Sequence, residues 1–202
     1  MLKWGVPYFM NVIAGNGGQK AAALKDIIPP QVPITSALPE ATNSSSLIIE
    51  GYTEGGAAID VLVDDKVTMT DKANVDGSFA IRISLATGQN RIQVRAADES
   101  GNVSSSAIKI VDYDDKPIEV TIFSPKNGNE YFGKNGQIIE IKGEVSKADS
   151  EVTINNSFVV LDKTGSFLHR FQLAEGSNEI KVIATDKAGN TSENILKTVY
   201  TP

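Results

Sequence analysis

Two short phrases carry oxygen donors in the same order and pose the first chemical question. Residues 95–105 read RAADESGNVSS and residues 183–193 read IATDKAGNTSE. Asp98 and Asp186, Gly101 and Gly189, and Asn102 and Asn190 each stand 88 positions apart. A carboxylate followed by an amide in a loop suits a hard cation, which takes six to eight oxygens. The local supply is thin. Glu99 stands beside Asp98, but Lys187 takes that place in the second phrase, and no other acid recurs at the same spacing within the loop. A turn accounts for the residues without a ligand. A carboxylate at a strand end accepts bonds from backbone N–H groups two or three residues on, and glycine supplies the positive φ that closes a short hairpin with a bulge. Asp98, Gly101, Asn102, Asp186, Gly189 and Asn190 are therefore read as structural turn residues, each asparagine opening the return strand.

Other residue types that do chemistry are few. Asp112, Asp114 and Asp115 gather between the two copies of the phrase and are the candidate metal ligands, where calcium would stiffen a linker. The competing reading is a solvated, charged hinge braced by Lys116 and Pro117. Asp64 and Asp65 are adjacent acids, but neighbours on an extended chain point to opposite faces and do not converge on one bond. The one histidine, His169, replaces Ile81 at the 88-residue spacing, a core-facing parity, so packing rather than nucleophile activation is expected of it. The GNGG stretch at 15–18 lacks the setting of a phosphate-binding loop. No catalytic residue and no cofactor site, calcium apart, is expected.

The elements that hold these residues follow from the pattern around them. A chain of 202 residues has room for two small domains, and its apolar content of 41% lets both halves build cores. The net charge is −6 without a Lys/Arg block, which argues against nucleic acid as a partner. There is no cysteine, hence no disulfide and no thiolate metal site.

Residues 1–18 form an apolar N-terminal segment. Its stretch 2–15, LKWGVPYFMNVIAG, is too short to span a bilayer alone, but Trp4 and Tyr8 are types enriched at the membrane boundary. The segment is read as the outer end of a membrane anchor. A Pro-rich linker follows over 19–33, with QVPITSALPE offering a first edge strand.

From Ser46 onward, short runs of alternating apolar residues separated by turn clusters point to an all-β antiparallel sandwich. Strands are expected at Leu47–Gly51, Ala58–Val63, Val67–Thr70, Ser78–Ser84, Asn90–Ala97 and Val103–Val111. A second set follows at Glu119–Phe123, Gln137–Glu144, Glu151–Ile154, Phe158–Val160, Ser166–Gln172, Asn178–Thr185 and Ser192–Tyr200. The domains are 34–113 and 117–201, joined by 114–116. Gly88 and Gly176 permit the crossing between sheets, and Asn90 and Asn178 tie the crossing backbone to the next strand.

The order DGSF, then L-x-x-G-x-N-x-I-x-V-x-A-x-D-x-x-GN-x-S, resembles bacterial immunoglobulin-like domains, particularly those similar to the ancillary domain B of glucodextranase. The resemblance covers about 34–113 and 117–201 and implies an extracellular sandwich used as a spacer or interaction module. It carries no catalytic residues. The function expected is a non-catalytic tandem module on a bacterial cell surface, extracellular and anchored through 2–15, with a surface protein or polysaccharide as partner. Two other readings stay open. One is the ancillary region of a carbohydrate-active enzyme, where Tyr52, Tyr113, Tyr131 and Phe132 would stack on sugars. The other is a surface filament in which the apolar N-terminal segment adds as a strand to a neighbour's edge.

Overall fold

The structure, a computed structural model, describes residues 26–202. The membrane-anchor expectation for 2–15, the rest of the 1–18 segment and the first part of the 19–33 linker lie outside the described residues. Among the described residues no helix is long and apolar enough to cross a membrane.

Two β-sandwiches of the same topology follow one another. The first holds β1 (Ile34–Thr35), β2 (Ala41–Thr42), β3 (Ser46–Tyr52), β4 (Ala58–Val63), β5 (Lys66–Lys72), β6 (Ser78–Ser84), β7 (Gly88–Ala97), β8 (Val103–Ser105) and β9 (Lys109–Tyr113). One sheet runs β1-β3-β6; the other runs β2-β9-β7-β4-β5, with β8 also on β7. The second sandwich holds β10 (Val120–Ser124), β11 (Glu130–Phe132), α1 (Gly133–Gly136), β12 (Ile138–Val145), β13 (Glu151–Ile154), β14 (Ser157–Val159), β15 (Ser166–Gln172), β16 (Gly176–Thr185) and β17 (Thr191–Thr201). Its sheets run β10-β12-β15 and β11-β17-β16-β13-β14.

Period-two patterning decides which side chains go inside. On β7, Ile92, Val94 and Ala96 are buried, and on β16 so are Ile180, Val182 and Ala184. Each set meets the opposite sheet, Ile49, Phe79 and Ile81 in the first domain and Ile139, Ile141 and Phe167 in the second. Every fully buried Ile or Val contributes roughly 1.5–3 kcal/mol over leaving it exposed, so each domain's stability rests on this alternation. Gly51 and Gly143 sit at matching places in β3 and β12, where a Cβ would run into the ring of Phe79 or Phe167.

Three features depart from expectation. The run Val103–Val111 is two strands: Arg95 pairs with Ser105 but Ile92 with Lys109, so the returning chain carries one residue more than β7 across that interval. This is a β-bulge, and Ser106 sits in it, its Oγ accepting the Val94 N–H. The second domain makes the same return as one unbroken strand, β17. Next, β2 and β11 are two- and three-residue strands added parallel to β9 and β17, too short to show a period. Finally, Asp64 and Asp65 are not on extended chain. Their φ values are 51° and 63°, and those of Asn155 and Asn156 are 45° and 66°, so both pairs form two-residue hairpin turns of the left-handed type.

Candidate functional site at the interdomain joint

The second corner phrase is built by Asp186. Its Oδ1 accepts the Asn190 N–H at 2.9 Å and its Oδ2 accepts the Asn190 Nδ2 at 2.9 Å. The bond thus reaches the fourth residue on, not the second or third, because the intervening turn is closed by Gly189 N–H to the Asp186 carbonyl with φ +90° at the glycine. The Asn190 amide then donates a further bond, at 2.8 Å, to the Asp114 carbonyl in the segment between the domains.

Lys147, in the loop between β12 and β13, completes the arrangement. Its ammonium stands 2.9 Å from Asp114 Oδ2, 2.5 Å from Asp186 Oδ2 and 2.8 Å from the Lys116 carbonyl. Three donors meet three acceptors, which saturates an ammonium. The Asp186 side chain is 3% exposed and that of Lys147 22%, so the pair is shielded from solvent. Domain 1 reaches the same corner through its own backbone: the Asn43 N–H donates to the Ala188 carbonyl at 2.9 Å. A cleft of about 100 Å³ lies here, lined by Ala41, Asp112, Asp149 and Lys187 with the residues just named.

Charge balance follows from these contacts. Burial pushes the Asp186 carboxyl up, and the hydrogen bonds from Lys147 and Asn190 more than reverse it, leaving the group below its ordinary value. Lys147 holds Asp114 below the usual carboxylate range. Burial pulls Lys147 down, and its bonds to Asp186 and Asp114 more than restore it, so the amine stays protonated above its ordinary value. A protonated lysine beside ionised carboxylates is a structural tie and no nucleophile.

The three acids singled out in the sequence therefore part company. Asp114 goes to Lys147. Asp115 accepts the Tyr113 hydroxyl at 3.0 Å, which raises the phenol's pKa. Asp112 lies on β9, its N–H bonded to the Glu40 carbonyl. Among the described residues no three or more His, Cys, Asp or Glu side chains gather as a metal-holding group. Lys147 was missed in the sequence because the loop between β12 and β13 reads SKADS where the loop between β3 and β4 reads TEGGA, so no lysine recurs there and the 88-residue echo does not pick it out.

The first corner repeats the turn, and among the described residues no lysine ties it. Asp98 Oδ1 accepts Asn102 N–H at 2.9 Å and Oδ2 accepts Asn102 Nδ2 at 2.8 Å, and these bonds hold its pKa below the ordinary value. Asn102 Nδ2 also donates to the carbonyls of Asp26 and Ile28, as Asn190 does to Asp114. The crossover asparagines match as well. Asn90 bonds Ala86 N–H, Ala86 carbonyl and Gly88 carbonyl, and Asn178 does the same with Ala174 and Gly176.

The remaining candidates are dispersed. His169 is half-buried on β15 opposite Ile141. Tyr113 and Tyr131 pack against the cores of their domains, while Tyr52 and Phe132, 63% and 64% exposed, lie on different domains. Asp64 accepts the Arg91 N–H at 3.1 Å and Asp65 pairs with the Arg91 guanidinium.

Known proteins share both the sequence and the shape. Residues 118–201 match the family profile described as glucodextranase, domain B, and residues 33–114 that of the bacterial Ig domain. Bacillopeptidase F of Bacillus subtilis (strain 168) is 33% identical over 150 residues, which is 74% of this chain and 10% of that protein. The chain thus spans about a tenth of the length of that relative. Among solved structures, the fibronectin(III)-like modules of Clostridium thermocellum CbhA superpose with a TM-score of 0.58 at 16% identity, over 84% of this chain and 95% of that one. With one sandwich topology used twice and both profiles falling in step with it, the chain is a tandem of bacterial immunoglobulin-like domains similar to domain B of glucodextranase.

Proposed function

We propose that the chain is a non-catalytic spacer on the outside of a bacterial cell, which holds a partner at a fixed distance from the surface. Domains of the bacterial Ig and fibronectin III-like kinds are typical of extracellular or ancillary modules and generally lack catalysis. The observation that carries the reading is the joint: Lys147 between Asp114 and Asp186, with Asn190 and Asn43 bonding across the boundary. A spacer needs a fixed angle between its beads, and a shielded, saturated ion triad supplies one. The apolar stretch 2–15 is proposed as the anchoring end, and a surface protein or polysaccharide as the partner.

Small-angle scattering on the chain and on Lys147→Met tests it. The native chain should give one narrow distribution of interdomain distances, and the variant a broad one with both sandwiches still folded. A native chain as broadly distributed as the variant would sink the spacer reading.

A second reading has its own support. The 10% coverage of bacillopeptidase F, and the glucodextranase match, favour the ancillary region of a larger secreted hydrolase. Its test is the size of the protein in its native source: a polypeptide several times 21.6 kDa that reacts with antibody to this chain would establish it.

A further inference from the structure

We propose that β15 of domain 2 is a docking edge for an extended segment of a partner protein, which adds to it as a strand and carries an apolar residue and, two positions along, an acid. The ladder to β12 fixes which backbone groups stand open. The Leu173 N–H donates to the Gln137 carbonyl at 2.8 Å, and the Val145 N–H to the Gly165 carbonyl at 3.0 Å. Bonded pairs alternate in an antiparallel ladder, so Phe167, His169 and Phe171 direct their N–H and carbonyl to β12, and Leu168 and Arg170 direct theirs away from it. β15 is the outermost strand of its sheet, and among the described residues nothing bonds those groups.

Apolar side chains surround this edge. The Asp162 N–H bonds the Ser166 carbonyl at 2.9 Å, but Val160, next in line to face Leu168, leaves beside β14 for the opposite sheet. The wedge so opened is a groove of about 680 Å³, lined by Phe123, Val160, Leu161, Phe167 and Leu168 with Lys142. Phe123, Val160 and Leu168 are exposed. Phe123 owes its place to a β-bulge: Ile122 pairs with Gly143 and Ser124 with Lys142, and Phe123 is the residue between. Domain 1 splays in the same way, the Asn74 N–H bonding the Ser78 carbonyl, yet its wedge is lined differently. Lys72 stands where Val160 does and Ala80 where Leu168 does, while Thr35 pairs with Gly51 and Ser36 bonds Glu50 with no residue between. A lysine at an open edge is a common guard against strand addition. Domain 2 has three apolar side chains there instead.

Charge selects the partner. On an added strand, the residues across from Leu168 and Arg170 lie two apart and share the sheet's outer face with them. The first meets the groove and is apolar. The second meets Arg170, whose neighbour across β12, Glu140, is held by Lys142 at 2.8 Å. Among the described residues Arg170 pairs with no carboxylate, so the second is Asp or Glu. Ladder bonds supply such a partner's affinity, and the two side chains its selectivity.

The inference stands apart from the spacer reading, which rests on the joint. Hydrogen exchange on the full chain, read by NMR, tests the edge: the Leu168 and Arg170 amides should exchange about tenfold or more faster than those of His169 and Phe171. The binding probe is a threonine-rich synthetic peptide with one leucine and, two residues on, one glutamate; its control has lysine for that glutamate. The first should bind with a Kd of about 0.1 mM and protect the Leu168 and Arg170 amides, and the control about tenfold more weakly. Arg170→Glu should reverse that preference. Val160→Lys, at a site 88% exposed, should keep the fold and weaken the first peptide about tenfold. Slow exchange at Leu168 and Arg170 in the free chain, no binding at about 1 mM, protection on another strand, or pairing of β15 with a second copy of the chain would overturn the proposal.

Discussion

The Asp98 and Asp186 corners use the same three residues to turn the chain and differ in what reaches them from outside. In each, a carboxylate takes both the N–H and the side-chain amide of the asparagine four residues on. In each, the same asparagine holds the segment entering its own domain. Among the described residues, only at Asp186 does a lysine arrive, and only there does another domain donate a backbone bond. A turn is a local solution that any copy of the fold repeats. A joint is assembled from loops, and one lysine in the loop between β12 and β13, where the loop between β3 and β4 has none, is enough to add its cation.

The shared skeleton is tested first, since its loss costs most. Asn90 is wholly buried and Asn178 nearly so, and each satisfies three backbone groups of its crossing. Replacing either by Ala leaves those groups without a partner, at about 3 kcal/mol. Urea unfolding of Asn90→Ala and Asn178→Ala should show near-equal losses, each confined to its own domain. Losses differing by more than about 2 kcal/mol would mean that the crossings are not equivalent.

The difference between the corners is tested next. Lys147→Met leaves Asp186 shielded and without its cation, a loss of about 2 kcal/mol in the unfolding of domain 2. Asp186→Asn should cost domain 2 more than Asp98→Asn costs domain 1, because the Asp186 carboxylate also gives up its bond to Lys147 and Asp98 has no such bond to lose. Equal effects would place the energy in the turn and remove the joint from consideration.

Acid and base separate the corners further. Asp98, Asp114 and Asp186 all have depressed pKa values, so their contributions are present above the ordinary carboxylate value of 3.8 and fade as pH falls through the folded values. Acid therefore weakens both corners. Lys147 is raised, so its contribution is complete below 10.5 and is lost as pH climbs through its folded value. Alkaline scattering experiments should loosen the joint while the fold at the Asp98 corner keeps its stability. A joint unchanged at pH 12 would contradict the role given to Lys147.

How much of this was legible varies with the range of the interaction. The strands Ala58–Val63, Ser78–Ser84, Glu151–Ile154 and Ser166–Gln172 lie where the apolar alternation puts them, because a sheet face reports itself every second residue. The corner aspartates and crossover asparagines showed in their 88-residue echo. Lys147 did not, since the matching loop of the first domain has no lysine and its partners lie 33 and 39 residues away. The short parallel strands β2 and β11 were too brief for any period, and the bulge before β9 only declares itself through pairing.

The smallest expected effect reverses the usual sign. Asn90 stands across from Val111, and Asn178 from Thr198, so these two buried residues occupy one place in two domains. Thr198 is 1% exposed and its Oγ1 has no hydrogen-bond partner, whereas Val111 fills the same position with a methyl. A buried hydroxyl without a partner costs desolvation and returns nothing. Thr198→Val, which transplants the first domain's choice into the second, should therefore raise domain 2's unfolding free energy by about 1 kcal/mol. Thermal unfolding of the single variant decides it: a loss of stability would show that the hydroxyl is satisfied in solution, and that domain 2 kept threonine for a bond its sister never needed.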